Sequence, residues 1–598
     1  MSVYQAPIDD MRFVMNEIAD MAAISGLPGY EDASPDLIDA ILEEAGKTAS
    51  EILAPINRSG DEQGCVIDNG VVRTPEGFKE AYRQFIDMGW NGMPFDPEYG
   101  GQGLPWLVTT AVTEMVQAAN MSFGLCPLLT QGAVELLSAH ASDDLKTIYL
   151  EKMVSGEWNG TMNLTEPQAG SDLARIRTKA ERDGDHYRIS GSKLFITYGE
   201  HDWTDNIVHL VLARIPGAPA GIKGISLFVV PKFLVNEDGS LGARNDLRCV
   251  SIEHKLGINA SPTAVMSFGD NEGAIGYLVG EENKGIQCMF TMMNNARLNV
   301  GLQGVGIAER AYQQARNFAR ERVQSRAMGS DDPKPVTIIH HPDVKRMLLS
   351  MKAQTEATRA LAYFVASRID IAKRHEDANT RADAQTMVDL LTPVVKAWSS
   401  DTGIEVANTG VQVHGGMGFI EESGAPQHLR DARITAIYEG TNGIQANDLV
   451  GRKVAYDKGA AMQKLISLIR DDQHNMRSVT DQVFVDMGER LSSSVDVLEK
   501  TSNWVVSTFG ATPEEVAAGA VAFLRLTGLV CGGWLLVRSA VIAQEKLDAS
   551  GGDPDFLRMK IATARFFADQ LLVQCASLGQ TVMDGGSVIT AVSEVDFG

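Results

Sequence analysis

The chain has 598 residues, 44% of them apolar, which is enough for several packed cores and suits roughly three or four domains at ordinary domain size. Its formal net charge of −24 sets the surface against nucleic-acid phosphates and anionic lipid headgroups, so neither is an expected partner. Any phosphate group it holds must meet a local basic or backbone N–H pocket.

The opening MSVYQAPIDDMRFVMNEIAD carries acids early and no basic stretch ahead of an apolar one, unlike a signal peptide. Residues 1–160 read as a helical domain. Within it Ser34 is a candidate cap for the apolar-periodic segment that follows, and Gly/Pro clusters such as DPEYGGQGLP (96–105) read as loops. The texture changes at 161–275, where short β-branched runs alternate with turns, as in HYRISGSKLFIT (186–197), NIVHLVLARI (206–215) and GISLFVVPKFLV (224–235). This is a β-domain between helical ones.

Residues 276–455 return to helix. Leu298, Leu302, Val305, Ala308, Tyr312, Ala315 and Ala319 recur every three or four positions and define one long amphipathic helix, expected to end at GSDDPKP (329–335). Two more helices are expected near 342–375 and 381–409. Residues 456–598 read as an additional helical domain. Its most apolar run, Leu526–Val537, is bounded by Arg525 and Arg538 and is too short to span a bilayer. The fold class is therefore α+β and multidomain: helices, β-domain, helix bundle, extra helices. The six cysteines show no C-x-x-C spacing, so reduced buried thiols are expected rather than a zinc or dithiol site, and no metal is assigned. With no membrane span the chain is expected to be cytoplasmic.

Four features carry chemistry. In LTEPQAGSD (164–172), Thr165 precedes a proline turn, and Gly170–Ser171 permits close main-chain approach; read alone, it is a connection with solvated Glu166 and Asp172. In QVHGGMGF (412–419), Gly415, Gly416 and Gly418 admit a ligand such as a pyrophosphate, or form a plain helix-to-helix turn, with His414 a hydrogen-bonded structural residue. It is not the dinucleotide fingerprint, because no strand precedes it. In ITAIYEGTNGIQ (434–445), Glu439 follows an apolar stretch, where loss of water would raise its basicity, although a solvated turn glutamate is commoner. Arg297 and Arg322 lie 25 residues apart on the long helix, hence ~38 Å apart, too far to serve one ligand directly.

In this order the segments LTEPQAGSD, GSKLFIT (191–197), ERVQSRA (321–327), QVHGGMGF and RDARITAIYEGTNGIQ (430–445), with 27 residues from Gln412 to Glu439, resemble the acyl-CoA dehydrogenase family over about residues 40–455. The resemblance implies an N-terminal helical domain, a middle β-domain, a C-terminal four-helix domain, and FAD between β-domain and helices, partly at a subunit interface. It implies that Thr165 hydrogen-bonds the flavin, that Ser171 beside Gly170 sits by flavin phosphate and CoA, and that Phe195 and Thr197 lie against the flavin. Arg297, near Asn294, reaches toward CoA. Arg322, Gln412 and Gly416 hold the pyrophosphate and adenosine of a neighbouring subunit's FAD. Thr441 approaches the flavin of its own subunit, with Gly440 at the substrate.

Three positions depart from the common pattern: Phe195 stands for a frequent tryptophan, Ser325 for an aromatic against adenine, and Asn294 for an aspartate. The opening segment, the SRA of ERVQSRA and the C-terminal extension resemble a long branch of the family. That branch includes 3-(methylthio)propanoyl-CoA dehydrogenase and bacterial fatty acyl-CoA dehydrogenases.

The activity implied is dehydrogenation of an acyl-CoA to trans-2-enoyl-CoA, with Glu439 as general base and hydride passing to flavin N5. Electron-transfer flavoprotein is the implied acceptor and a homodimer the expected assembly. The metabolic setting is fatty acid breakdown or dimethylsulfoniopropionate catabolism. Alternatives are an acyl-CoA oxidase, a DNA-associated flavoprotein, disfavoured by the acidic charge, and a non-catalytic scaffold.

Overall fold

A computed structural model of the chain describes residues 4–475 and 481–598. The readings made of residues 1–3 in the opening segment and of 476–480 in the extra helical region lie outside the described residues. Two compact units emerge: residues 44–105 with 115–299, and residues 1–43 with 106–114 and 300–598.

The first of these contains twelve strands among the described residues, all before residue 280. They are β1 (Val66–Asp68), β2 (Val71–Arg73), β3 (Trp158–Asn163), β4 (Lys179–Asp183), β5 (His186–Thr197), β6 (Asn206–Arg214), β7 (Ile225–Pro231), β8 (Phe233–Val235), β9 (Leu241–Arg244), β10 (Leu247–Ile252), β11 (Thr263–Phe268) and β12 (Ala274–Val279). The hairpin β1–β2 falls in a region read as helical; its strands are too short to show a period. The main sheet runs β10-β11-β5-β12-β7-β6-β3, with β4 beside β5. All its neighbours are antiparallel except β3–β6 and the end contact β4–β6. Strand β6 is buried on both faces for eight residues, which is why its sequence reads as an apolar run rather than an alternation. Ile189, Ile196, Val211, Phe228, Met266 and Phe268 fill the core beneath the sheet.

The helical part of this unit has an aromatic core. Trp203 stacks on Tyr82 at 5.0 Å and meets Tyr198 at 4.8 Å and Phe123 at 5.3 Å. Gly60 is required beside it, since a Cβ there would lie 2.4 Å from Phe78.

The second unit is helical. The predicted long helix is Gly285–Glu321, and it stops before the glycine–proline segment thought to end it; Arg322 sits just beyond, its N–H on the Phe318 carbonyl at 2.9 Å. Pro342–Arg374 and Ala378–His414 follow. Ser34 caps its helix as read, accepting from Leu37 N–H.

The extra helices centre on Pro513–Asp548. The apolar run Leu526–Val537 is only its middle: the helix has 36 residues, long and apolar enough to cross a membrane by length and composition, and 83% of its most apolar window is buried in protein. Gly528 and Gly532 lie against Trp398 of helix Ala378–His414, where any Cβ would be 2.4 Å from the indole. Arg525 pairs with Glu405, and Arg538 donates to the Glu17 carbonyl. The arginines that seemed to bound the run thus tie its helix to its own chain.

Beneath these helices lies a buried ionic cluster. Arg359, 1% exposed, donates to Glu114 at 2.6 Å, Glu309 at 2.8 Å and Asp10 at 2.7 Å. Lys560 donates to Asp10 at 2.7 Å and Glu356 at 2.8 Å, and Tyr363 donates its hydroxyl proton to Glu114. Five stretches distant in sequence therefore converge on one ionic core.

Candidate active site

The segment Thr165–Ser171 leaves the end of β3. Glu166 and Ala169 exchange both backbone hydrogen bonds, closing a tight turn. The solvated glutamate expected here is instead 3% exposed. Its carboxylate accepts from Lys193 Nζ (2.8 Å), the Arg177 and Thr178 N–H groups (2.6 and 3.1 Å) and the Thr178 hydroxyl (2.6 Å). Burial works to raise its pKa, but Lys193 and these donors outweigh that and hold it at about 2. Lys193 is fully buried; burial draws it down to about 8 against the pull of Glu166. Asp172 is exposed, as read.

Lys193 belongs to β5, where the sheet register slips. Ile196 faces Ala264 and Lys193 faces Met266, so Leu194 and Phe195 together oppose Val265. Such a bulge re-aims side chains. Phe195 adopts φ 58° and is 60% exposed, while Lys193 and Ile196 point into the core. A left-handed aromatic costs about 1–2 kcal/mol, and the bulge supplies the surrounding constraint that holds it. Leu194 N–H donates to the Thr165 carbonyl at 2.8 Å, so turn and bulge form one surface. Gly170 and Ser171 are exposed on it, a Cβ at Gly170 would meet nothing within 4 Å, and Thr197 closes β5 half-buried. On the long helix, Arg297 Nη1 donates to Asn294 Oδ1 at 3.3 Å; Asn294 is exposed and Arg297 buried.

In the helical unit, Glu439 and Gly440 are consecutive left-handed residues, φ 55° and 83°. Gln445 donates Nε2 to both of their carbonyls, at 3.2 and 3.4 Å. Thr441 caps the next turn by accepting from Ile444 N–H. Asn442 is fixed on helix Ala378–His414: Lys396 donates to its Oδ1 at 2.8 Å, and its Nδ2 donates to Asp401 at 2.7 Å. The preceding Tyr438 donates its hydroxyl proton to Gln303. A strained main chain braced from both sides fixes the direction in which the Glu439 side chain leaves the backbone. Gln445, Asn442 and Lys396 escaped the sequence reading. A lysine inside the apolar run Leu390–Trp398 was the available signal.

Arg322 and the QVHGGMGF segment come together through stacking. The Arg322 guanidinium lies 5.1 Å over Phe318, whose ring stacks at 4.5 Å on His414. His414 donates its Nδ1–H to the Gly410 carbonyl at 2.7 Å, the structural role expected of it. The three glycines are not equivalent. Gly415 (φ 58°) and Gly416 face open space, whereas a Cβ at Gly418 would lie 2.1 Å from the Val411 carbonyl oxygen. Gly418 serves packing, a correction to its grouping with ligand-facing glycines. Gln412 is exposed beside Gly416.

Comparison with known proteins bears on all of this. Family descriptions match in order: acyl-CoA dehydrogenase N-terminal domain (38–157), middle domain (161–271), C-terminal domain (283–454) and acetyl-CoA dehydrogenase C-terminal like (460–593). A 3-methylmercaptopropionyl-CoA dehydrogenase of Ruegeria pomeroyi is 49% identical over 98% of this chain and 99% of its own. The chain belongs to the acyl-CoA dehydrogenase family.

This acyl-CoA dehydrogenase is also 33% identical, over the full length of both chains, to the broad-specificity linear acyl-CoA dehydrogenase FadE5 of Mycobacterium tuberculosis. The solved butyryl-CoA dehydrogenase of Megasphaera elsdenii matches 70% of this chain and 98% of its own at TM-score 0.57 and 26% identity. The enzyme is an FAD-dependent oxidoreductase acting on acyl-CoA. Its residues fit that cofactor: an exposed aromatic on a bulged strand, open main chain at Gly170, Gly415 and Gly416, and a cation at Arg322.

Proposed function

We propose that this dehydrogenase acts on 3-(methylthio)propanoyl-CoA, giving the trans-2-enoyl thioester. The observation that carries the choice is the 49% identity to the Ruegeria pomeroyi enzyme, sustained over 98% of the chain with the extra helical region included. A straight-chain fatty acyl-CoA is the second reading, favoured by full-length similarity to a broad-specificity linear enzyme.

Glu439 is the general base in this reading. An α C–H is a weak acid, and a carboxylate freed of water by the entering acyl chain becomes a stronger base for it. The main-chain N–H of Glu439 donates to the thioester oxygen as negative charge develops there, with Gly440 leaving room for the substrate. Bound FAD supplies the two-electron acceptor for the β-hydrogen. Thr165, Gly170, Ser171, Phe195, Thr197 and Thr441 hold the flavin. Arg322, Gln412 and Gly416 hold the adenosine and pyrophosphate of a neighbouring subunit's FAD. Ser171, Asn294 and Arg297 meet CoA; the Arg297–Asn294 hydrogen bond supports a pre-set guanidinium. The reading includes a cytoplasmic homodimer, electron-transfer flavoprotein as acceptor, and domains at 1–160, 161–275, 276–455 and 456–598.

Anaerobic bleaching of the flavin by a panel of acyl-CoAs tests the proposal. The methylthio substrate is expected to bleach fastest; a faster straight-chain member selects the second reading. Glu439→Gln is expected to keep FAD and bind acyl-CoA while bleaching falls about 10²–10⁴-fold. Bleaching at the unaltered rate would remove Glu439 from the base role.

A further inference from the structure

The flavin contacts proposed for the β-domain all sit on one surface, and that surface has a charged foundation none of them explains. Lys193 is 0% exposed and Glu166 3%. Lys193 Nζ donates to Glu166 Oε1 at 2.8 Å and to the Leu164 carbonyl at 3.0 Å. It thus grips the main chain one residue before Thr165 and the side chain one residue after. Glu166 carries the connection onward to Arg177 and Thr178, and Gln168 donates to its Oε2 at 2.6 Å. Leu194, next after Lys193, donates to the Thr165 carbonyl, and Phe195 follows in its left-handed bulge. The half-buried Thr165 and the exposed Gly170, Ser171 and Phe195 ring are thus tied to one lysine–glutamate pair.

Taking two charges out of water is expensive, and apolar residues of the same size would pack such a site at least as well. The pair gives something apolar residues cannot: a directional link between a turn and a strand bulge. We infer that Glu166 and Lys193 are positioning residues that fix the Thr165–Ser171 turn against the Phe195 bulge and thereby set the fit of the flavin. This rests on the flavin contacts of the Proposed function. The pair touches neither substrate nor reacting atoms; it acts through Thr165 and Phe195.

The test uses Lys193→Met in the full chain, with Lys193→Arg as the conservative control. The dissociation constant of FAD from apoprotein is read by flavin fluorescence, and the environment of bound flavin by visible circular dichroism. Lys193→Met is expected to weaken FAD binding about ten- to a hundredfold, as loss of a buried charged hydrogen bond does. It should also change the visible spectrum, with Lys193→Arg recovering most of both. A folded Lys193→Met protein with unaltered FAD affinity and flavin spectrum would overturn the inference. If Lys193→Met does not fold, Glu166→Gln, which keeps volume and a carbonyl acceptor, is read by the same two criteria. Failure of the unsubstituted protein to bind FAD would instead overturn the flavin assignments of the Proposed function, so the two failures are distinct.

Discussion

Glu166 shows how far a residue's surroundings can move its chemistry. A glutamate titrating near 4.5 in the unfolded chain is held at about 2 in the folded one. Its folded pKa is lowered, so the stability it contributes is fully present above about 4.5 and is lost as pH falls toward 2. Urea midpoints measured from pH 5 downward should therefore fall more steeply for the unsubstituted protein than for Glu166→Gln; parallel curves would contradict the assignment. Glu439 is the opposite kind of residue. The proposed base role was read from its motif, but its left-handed backbone and its brace from Gln445 were not legible, since no local pattern announces a positive φ at a non-glycine. Glu166 was misread for a related reason: a charged residue beside a proline reads as solvated until its partner, 27 positions away, is brought beneath it.

At the scale of elements, periodicity was the reliable guide. The long helices appeared where the 3.6-residue pattern put them, and the longer strands of the main sheet where β-branched apolar runs alternate with turns. The short hairpin β1–β2, the bulge in β5 and the early stop of the helix at Glu321 did not, because each is set by one or two residues or by a distant neighbour. The glycine-rich turn after His414 makes this testable. Gly418→Ala would push a methyl group to within 2.1 Å of the Val411 carbonyl oxygen, so it should lower thermal stability markedly. Gly416→Ala meets open space, should leave stability nearly unaltered, and should lower FAD content if the main chain there approaches the cofactor. Equal effects of the two substitutions on FAD content and on melting would refute the distinction.

For the whole molecule the decisive feature is the ionic cluster around Arg359. Arg359→Met leaves Glu114, Glu309 and Asp10 buried with less compensation, and a loss of about 3–5 kcal/mol in urea unfolding is expected. A loss below about 1 kcal/mol would mean that water reaches the cluster. None of its members stood out in the sequence, because buried ion pairs leave no periodic trace.

Asp10 and Lys560 are 550 positions apart. A ribosome adding about 5–20 residues per second needs ~30–110 s to travel from one to the other. For that time the amino-terminal carboxylate has emerged while the ammonium that will complete its surroundings has yet to be made. The helical unit therefore completes this core only after the segment carrying Lys560 has been made. The pairing of these distant segments thus makes the closing of the ionic core one of the last events in the making of the enzyme.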